Sequence, residues 1–290
     1  MKSSLKIIFT LSFLLPATVI YAQKPAYQLF DQDGKNSKYN KMVRACTDAD
    51  IVLFGELHNN PISHWMQLEL TRSLYEVKGK DLVMGAEMFE ADNQLIMDEY
   101  FMGMITREKF EDEMRMWKNY TTDYKPLVEF ARDSGLKFIA TNIPRRYANV
   151  VFKLGADTLQ YLSDEAKKYM MPLPLDYDTT VACYSELSGR GPMGGHGSPN
   201  LRDAQAVKDA TMSYFIRRNY NPGQLFLHFN GSYHSDNFEG ISYFLKKDQP
   251  GLKIVTISTV SQEQVDELDE ENIGKADFII AVPETMTTTY

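Results

Sequence analysis

Cysteine is nearly missing from this chain: two in 290 residues, Cys46 and Cys183. That excludes a dense disulfide framework and leaves either one bridge or two buried thiols; the apolar helical pattern around Cys46 favours thiols. Basic tracts are missing too. Lys and Arg total 31 against 39 Asp and Glu, a formal net charge of −8. With no run of cations to neutralise phosphates and release counterions, nucleic acid is not an expected partner. Low-complexity segments and internal repeats are absent, and the length suits one α/β core with insertions.

Long apolar runs are absent after the N-terminus. There, basic Met1-Lys2-Ser3-Ser4-Leu5-Lys6 precedes an apolar stretch from Ile7 to Ile20 and the small-residue site Tyr21-Ala22-Gln23. This reads as a secretory signal peptide over residues 1–22, its apolar core shorter than the roughly 20 residues of a spanning helix. The expected product is exported, periplasmic or secreted, with no transmembrane helix and, lacking a cysteine near the cleavage point, no lipid anchor. Without Lys2 and Lys6 it carries 29 basic and 39 acidic residues.

What is present is a repeated strand-to-helix handover. Asp50-Ile51-Val52-Leu53-Phe54-Gly55-Glu56-Leu57-His58 is a β-rich run ending in glycine and polar residues, followed by a helical pattern over 62–78 with Trp65, Leu68, Leu70, Leu74 and Val77 as its apolar face. A strand over 81–89 exits at Glu87 and Glu90, one over 137–143 at Asn142 and Arg145, and one over 223–229 at Asn230 and His234. An edge strand near 27–31, a helix over 37–47 and strands over 253–260 and 277–282 complete the sheet. Helical insertions are expected at about 91–134 and 157–200, the second with a helix over 163–170 and a Gly-rich tract suited to a lid. The tail after Pro283 is expected to fray. The fold class is α/β: an αβα sandwich with a mostly parallel sheet, one domain over 23–290.

Open α/β sheets place ligands at the carboxyl ends of their strands. Glu56, His58, Glu87 and His234 should therefore meet at one edge, where two carboxylates and two imidazoles suit a divalent metal or acid–base work. Each has an alternative role: the glutamates as helix caps, the histidines as hydrogen-bonded core residues. Arg145 and Arg146 suit a ligand carboxylate or a solvated pair. Gln205 and Asp209 share a helix face and suit a tie between helix and loops. His196 lies in the Gly-rich tract, and the Met- and Tyr-rich insertions suit core packing or a cofactor pocket.

Gly55-Glu56-Leu57-His58-Asn59-Asn60, Gly85-Ala86-Glu87-Met88, Thr141-Asn142-Ile143-Pro144-Arg145-Arg146, Gln205-Ala206-Val207-Lys208-Asp209-Ala210-Thr211-Met212 and Asn230-Gly231-Ser232-Tyr233-His234 together resemble the ChaN family of iron-regulated, haem-binding proteins. That family shares a superfamily with Tiki metalloproteases, TraB proteins and erythromycin esterases. Gly-Glu-X-His alone occurs by chance; five motifs in order over about residues 47–260 are specific. The resemblance implies a haem-binding protein of iron uptake, with a possible homodimer and an outer-membrane uptake system as partners. It implies haem iron held by a tyrosine oxygen, for which Tyr184, Tyr177 and Tyr233 are candidates, with Arg145, Arg146 and His196 nearby. The Tiki and esterase branches imply instead a metal-dependent hydrolase built on Glu56, His58, Glu87 and His234. A third possibility is a binding module that keeps this edge only for structure.

Overall fold

The computed structural model describes residues 24–187 and 200–290. The expected signal peptide, its cleavage site and His196 lie outside the described residues. Seven strands form one sheet: β1 Gln28–Asp31, β2 Ile51–Glu56, β3 Leu82–Glu90, β4 Lys137–Asn142, β5 Leu225–Gly231, β6 Ile254–Gln262 and β7 Phe278–Pro283. Their order is β1-β7-β6-β2-β5-β3-β4, with β1 antiparallel to β7 and every other pair parallel. β2 and β5 thus lie side by side in the middle, and polar residues leaving them share one edge.

Helices cover both faces: α1 Tyr39–Thr47, α2 Pro61–Lys78, α3 Gln94–Phe101, α4 Arg107–Glu113, α5 Lys125–Asp133, α6 Arg145–Leu154, the single turns α7 Asp164–Lys167 and α8 Ala182–Ser185, α9 Leu201–Asn219 and α10 Ile241–Asp248. Strand alternation sorts the core. Val52, Phe54, Leu227 and Phe229 face one way, against Met66, Leu70 and Leu74 of α2 and Leu127 and Val128 of α5. Ile51, Leu53 and Phe226 face the other, against Met212 and Ile216 of α9 and Ile241 and Leu245 of α10. A fully buried side chain such as Phe229 contributes about 2–3 kcal/mol of transfer free energy. Among the described residues no helix is long and apolar enough to cross a membrane.

Expected and observed elements differ where polar residues occupy buried positions. Asn60 starts α2 by accepting from the amides of Ile62 and Ser63 at 3.0 and 3.1 Å, with Pro61 in the first turn. The inward face of α2 runs through Ser63, Met66, Gln67, Leu70 and Leu74, while the expected Trp65 and Val77 are 46% and 62% exposed. β5 continues two residues beyond expectation, so that Gly231 pairs with Glu56. The expected helix over 163–170 shrinks to α7, ahead of Pro172, which disfavours helical backbone at Met171. Cys46 and Cys183 are both free, the first buried and the second half-buried. The tail does not simply fray: the Thr289 amide donates to the Asn59 carbonyl at 2.9 Å, and its hydroxyl to Asp123 Oδ2 at 2.7 Å.

Candidate functional site

Side-chain alternation sends Glu56, in phase with Val52 and Phe54, to the α2 and α5 face of the sheet. There its carboxylate is buried and accepts three hydrogen bonds, from Gln67 Nε2 at 2.5 Å, the Tyr124 hydroxyl at 2.6 Å and His58 Nδ1 at 2.9 Å. A carboxylate only accepts, so the His58 proton sits on Nδ1 and Nε2 is left facing the edge. Neither glutamate caps a helix: Asn60 performs that task for α2, and α3 after β3 has no side-chain cap. Asn119 Nδ2 and His64 Nε2 hold the His58 carbonyl at 2.7 and 3.1 Å, and the Trp117 ring packs edge-on at 4.8 Å between centroids. Burial alone would lower the His58 pKa, but its bond to Glu56 and the charge of Glu87 raise it above the ordinary histidine value.

Glu87 turns toward the opposite face. Its Oε2 accepts from the Gly231 amide at 2.8 Å, and its Oε1 lies 3.2 Å from His234 Nε2. The other nitrogen of His234 lies 2.5 Å from Asp209 Oδ1, and Asp209 Oδ2 accepts from the Tyr184 hydroxyl at 2.7 Å. With a carboxylate at each nitrogen, both nitrogens must donate, and His234 is an imidazolium. Burial opposes that charge, but Glu87 and Asp209 outweigh it and push the pKa up to about 10. Reciprocally, desolvation would raise Glu87, yet His234 and His58 hold it well below the usual carboxylate range. His228 offers a contrast: buried, with Nδ1 on Asn230 Oδ1 at 3.1 Å and Nε2 2.7 Å from the Thr141 hydroxyl, it is pushed down to about 4 and is neutral.

The two arrays meet at Gly231. A Cβ there would lie 2.7 Å from His58 Nε2 and 2.8 Å from His58 Cε1, so only glycine leaves room for this ring beside Glu87. Around it opens a cavity of about 480 Å³ that Glu56, His58, Glu87, Asn142, Arg145, Gln205, Tyr233 and His234 all line. Asn142 Nδ2 donates to the Glu87 carbonyl at 3.0 Å, and Asn230 binds the Gly231 carbonyl and Ser235. A second cavity, about 1030 Å³, adjoins it through Glu90, Trp117 and Arg145 and is lined further by Met116, Lys118, Asn149 and Tyr290.

The remaining sequence candidates are placed as follows. The Tyr184 hydroxyl is sealed against Asp209 in a fully buried ring, Tyr177 donates to Asp203, and Tyr233 donates to the Cys183 carbonyl at 2.6 Å. None of the three phenols is free. Arg146 pairs with Asp92 at 2.5 Å and lies over the Tyr147 ring, whereas Arg145 is exposed with no ion-pair partner among the described residues. The expectation of a divalent metal on Glu56, His58, Glu87 and His234 meets a different arrangement. Among the described residues no group of three or more His, Cys, Asp or Glu side chains is arranged to hold a metal ion; Glu56 accepts from three donors, and both His234 nitrogens face carboxylates. Gln67, Tyr124, His64, Asn119, Asp123 and Trp117 were not among the sequence candidates. Asp209 was, but as a tie between helix and loops.

Fold and site together define an α/β sandwich with a buried glutamate–histidine edge. A sequence profile described as haem-binding uptake, Tiki superfamily, ChaN, matches residues 42–245. This chain belongs to the ChaN family. Its fold is similar to that of ChaN of Campylobacter jejuni, a structure of cofacial haem binding, with a TM-score of 0.64 at 17% identity over 88% of this chain and 96% of that one. A Bacillus cereus protein gives a TM-score of 0.52 at 10% identity over 89% and 95%. Identities this low speak for the fold alone. The chloroplastic protein RETICULATA-RELATED 5 of Arabidopsis thaliana is 26% identical over 197 residues, 63% of this chain but only 26% of the plant protein.

Proposed function

We propose that this chain is an exported haem carrier of iron uptake and that the larger cavity receives the haem. The observation that carries the reading is the cavity itself: about 1030 Å³, walled by Met116 and Trp117 and rimmed by Lys118 and Arg145, neither cation paired among the described residues. Those residue types fit the group. Met and Trp faces suit a macrocycle, and unpaired cations suit propionates. Tyr290 lines the same cavity, with no partner for its hydroxyl among the described residues, and would supply the hard oxygen donor that Tyr184 and Tyr177 cannot. When bound, haem would bring a ferric iron to be carried. This chain's residues would enclose it, neutralise it and limit its contact with water. Export rests on the Lys2-to-Ala22 pattern; delivery to an outer-membrane system and a homodimer are part of the proposal and rest on the resemblance to ChaN proteins alone.

Hemin titration of the purified protein tests this reading. A saturable Soret shift is expected, with Arg145→Glu weakening affinity about tenfold because a propionate loses its charged partner; no saturable change would refute it. Sizing the complex reads the oligomer, and fractionation of cells reads export.

One observation favours a second reading, hydrolysis. His58 donates through Nδ1 to Glu56 and presents Nε2 to the smaller cavity, the arrangement of a general base that takes a proton from water. Its raised pKa predicts activity that climbs with pH. A hydrolysis screen in which no substrate distinguishes the protein from its His58→Ala variant would remove this alternative.

A further inference from the structure

Residues 284–290, beyond β7, run over the carboxyl ends of the sheet and reach the proposed haem cavity at Tyr290. The Glu284 amide donates to Gln262 at the end of β6, and the Thr289 amide to Asn59 just past β2, at 3.0 and 2.9 Å. Tyr290 then forms part of the cavity wall beside Trp117 and Arg145. Along residues 284–290 the single side-chain tie to the body, among the described residues, is Thr289 to Asp123 at 2.7 Å.

Asp123 links that tie to the neighbouring site. It is buried and also accepts from Asn119 Nδ2 at 2.6 Å, while His64 Nε2 stands 3.4 Å away. Asn119 and His64 are the two groups that hold the His58 carbonyl. One carboxylate thus joins the tail to the backbone that orients the His58 ring. Water can replace the Thr289 hydroxyl on Asp123 once the tail lifts, so opening leaves no buried acceptor unpaired. A short segment held by so few bonds sits at the low end of local stability.

We propose that residues 284–290 are a latch. With Thr289 on Asp123 the tail closes one wall of the larger cavity. On release the wall opens and the support beneath His58 loosens, so that entry of a planar ligand and the setting of the His58 ring are coupled. The identity of that ligand as haem rests on the proposed function; the latch itself does not.

The test uses Trp117, which lines both cavities. The chain has two tryptophans, so Trp65→Phe leaves Trp117 as the sole tryptophan, excited selectively over tyrosine at the red edge. In that background Thr289→Val, Thr289→Ser and a truncation after Pro283 are compared by acrylamide quenching, by amide exchange at residues 57–60 and 119–124, and by stopped-flow mixing with hemin. Release by Thr289→Val or by truncation is expected to raise quenching about twofold and to speed exchange about tenfold; hemin association, read in Thr289→Val because it keeps Tyr290, is expected to rise about tenfold, whereas Thr289→Ser, which keeps the hydroxyl, stays near wild type. Unchanged quenching and exchange in Thr289→Val would overturn the latch. So would slower hemin association in Thr289→Val, where Tyr290 is intact, because the Thr289 contact would then hold the site ready for the ligand and not gate it. Should no variant bind hemin, the haem reading fails while quenching and exchange still decide the latch. Thr289→Val carries the test if the truncated chain does not fold.

Discussion

The same edge holds two histidines that meet carboxylates in different ways. His234 is almost wholly enclosed, its side chain 7% exposed, with Glu87 and Asp209 at its two nitrogens. His58 is 35% exposed and spends one nitrogen on Glu56. The first is a fixed imidazolium that serves the fold by keeping two buried carboxylates apart. The second keeps an open nitrogen over a cavity and is the group able to exchange a proton or meet a ligand. Burial and the number of carboxylates, not the residue type, divide the structural histidine from the reactive one.

The division is tested hardest at His234. His234→Ala leaves Glu87 and Asp209 buried without their common counter-charge, and urea unfolding should show a loss of about 3–5 kcal/mol, the scale of breaking a buried ion pair from one side. The pH dependence has a definite sign. His234 is raised from 6.5 to about 10, so its contribution is complete below 6.5 and fades as pH rises toward that folded value. Glu87, lowered from 4.5, contributes above that value and loses its part as pH falls below it; the two shifts describe one interaction and do not add. Wild-type stability should therefore exceed that of His234→Ala most between about pH 5 and 6.5, with the gap closing by about pH 10. A gap constant across that range would show that His234 is not charged in the native state.

Gly231→Ala strikes the other array first. Its Cβ would lie 2.7 Å from His58 Nε2, which forces the ring to turn and breaks the bond to Glu56, at a cost of about 1–3 kcal/mol. The His58 imidazole resonances should shift and titrate nearer the ordinary value, while those of His234 stay in place. If both histidines moved together, the two arrays would be one cooperative unit and the contrast would fail.

How much of this was legible in the sequence follows the same division. The strand runs and their polar exits are local patterns, so the parallel sheet and the convergence of Glu56, His58, Glu87, Asn142, Arg145 and His234 on one cavity could be read from residue order. The partners that set their chemistry could not. Gln67 sits on a helix face where the apolar pattern suggested Trp65 and Val77, because a buried amide serving Glu56 looks like a gap in periodicity. Tyr124 belongs to a single π-helical turn, Tyr120–Tyr124, with no sequence signature of its own. Asp209 reads as one acid on a helix until the fold brings His234 to it. Tyr184 shows the converse: in the chain it suits a haem ligand, and in the fold its hydroxyl belongs to that acid. Thr289 shows why polarity in a tail does not mean fraying when a buried carboxylate needs a donor.

The smallest effect on stability is expected from His58→Ala, and it is the most informative about function. Glu56 keeps Tyr124 and Gln67 as donors after the ring is gone, so its carboxylate is not left unpaired, and the space lies beside an open cavity, not in the core. What is lost is one hydrogen bond and the edge contact with Trp117, together about 1 kcal/mol or less at a partly exposed position. Urea unfolding should place the variant within that margin of wild type. Any hydrolytic activity in the native protein should vanish with it, since the base is gone. If hemin binds as proposed, its binding should persist, since Lys118 and Tyr290 line the adjoining cavity, of which His58 is not part. A loss as large as that of His234→Ala would mean that His58 also holds the fold together, and the separation of a structural from a reactive histidine would have to be abandoned.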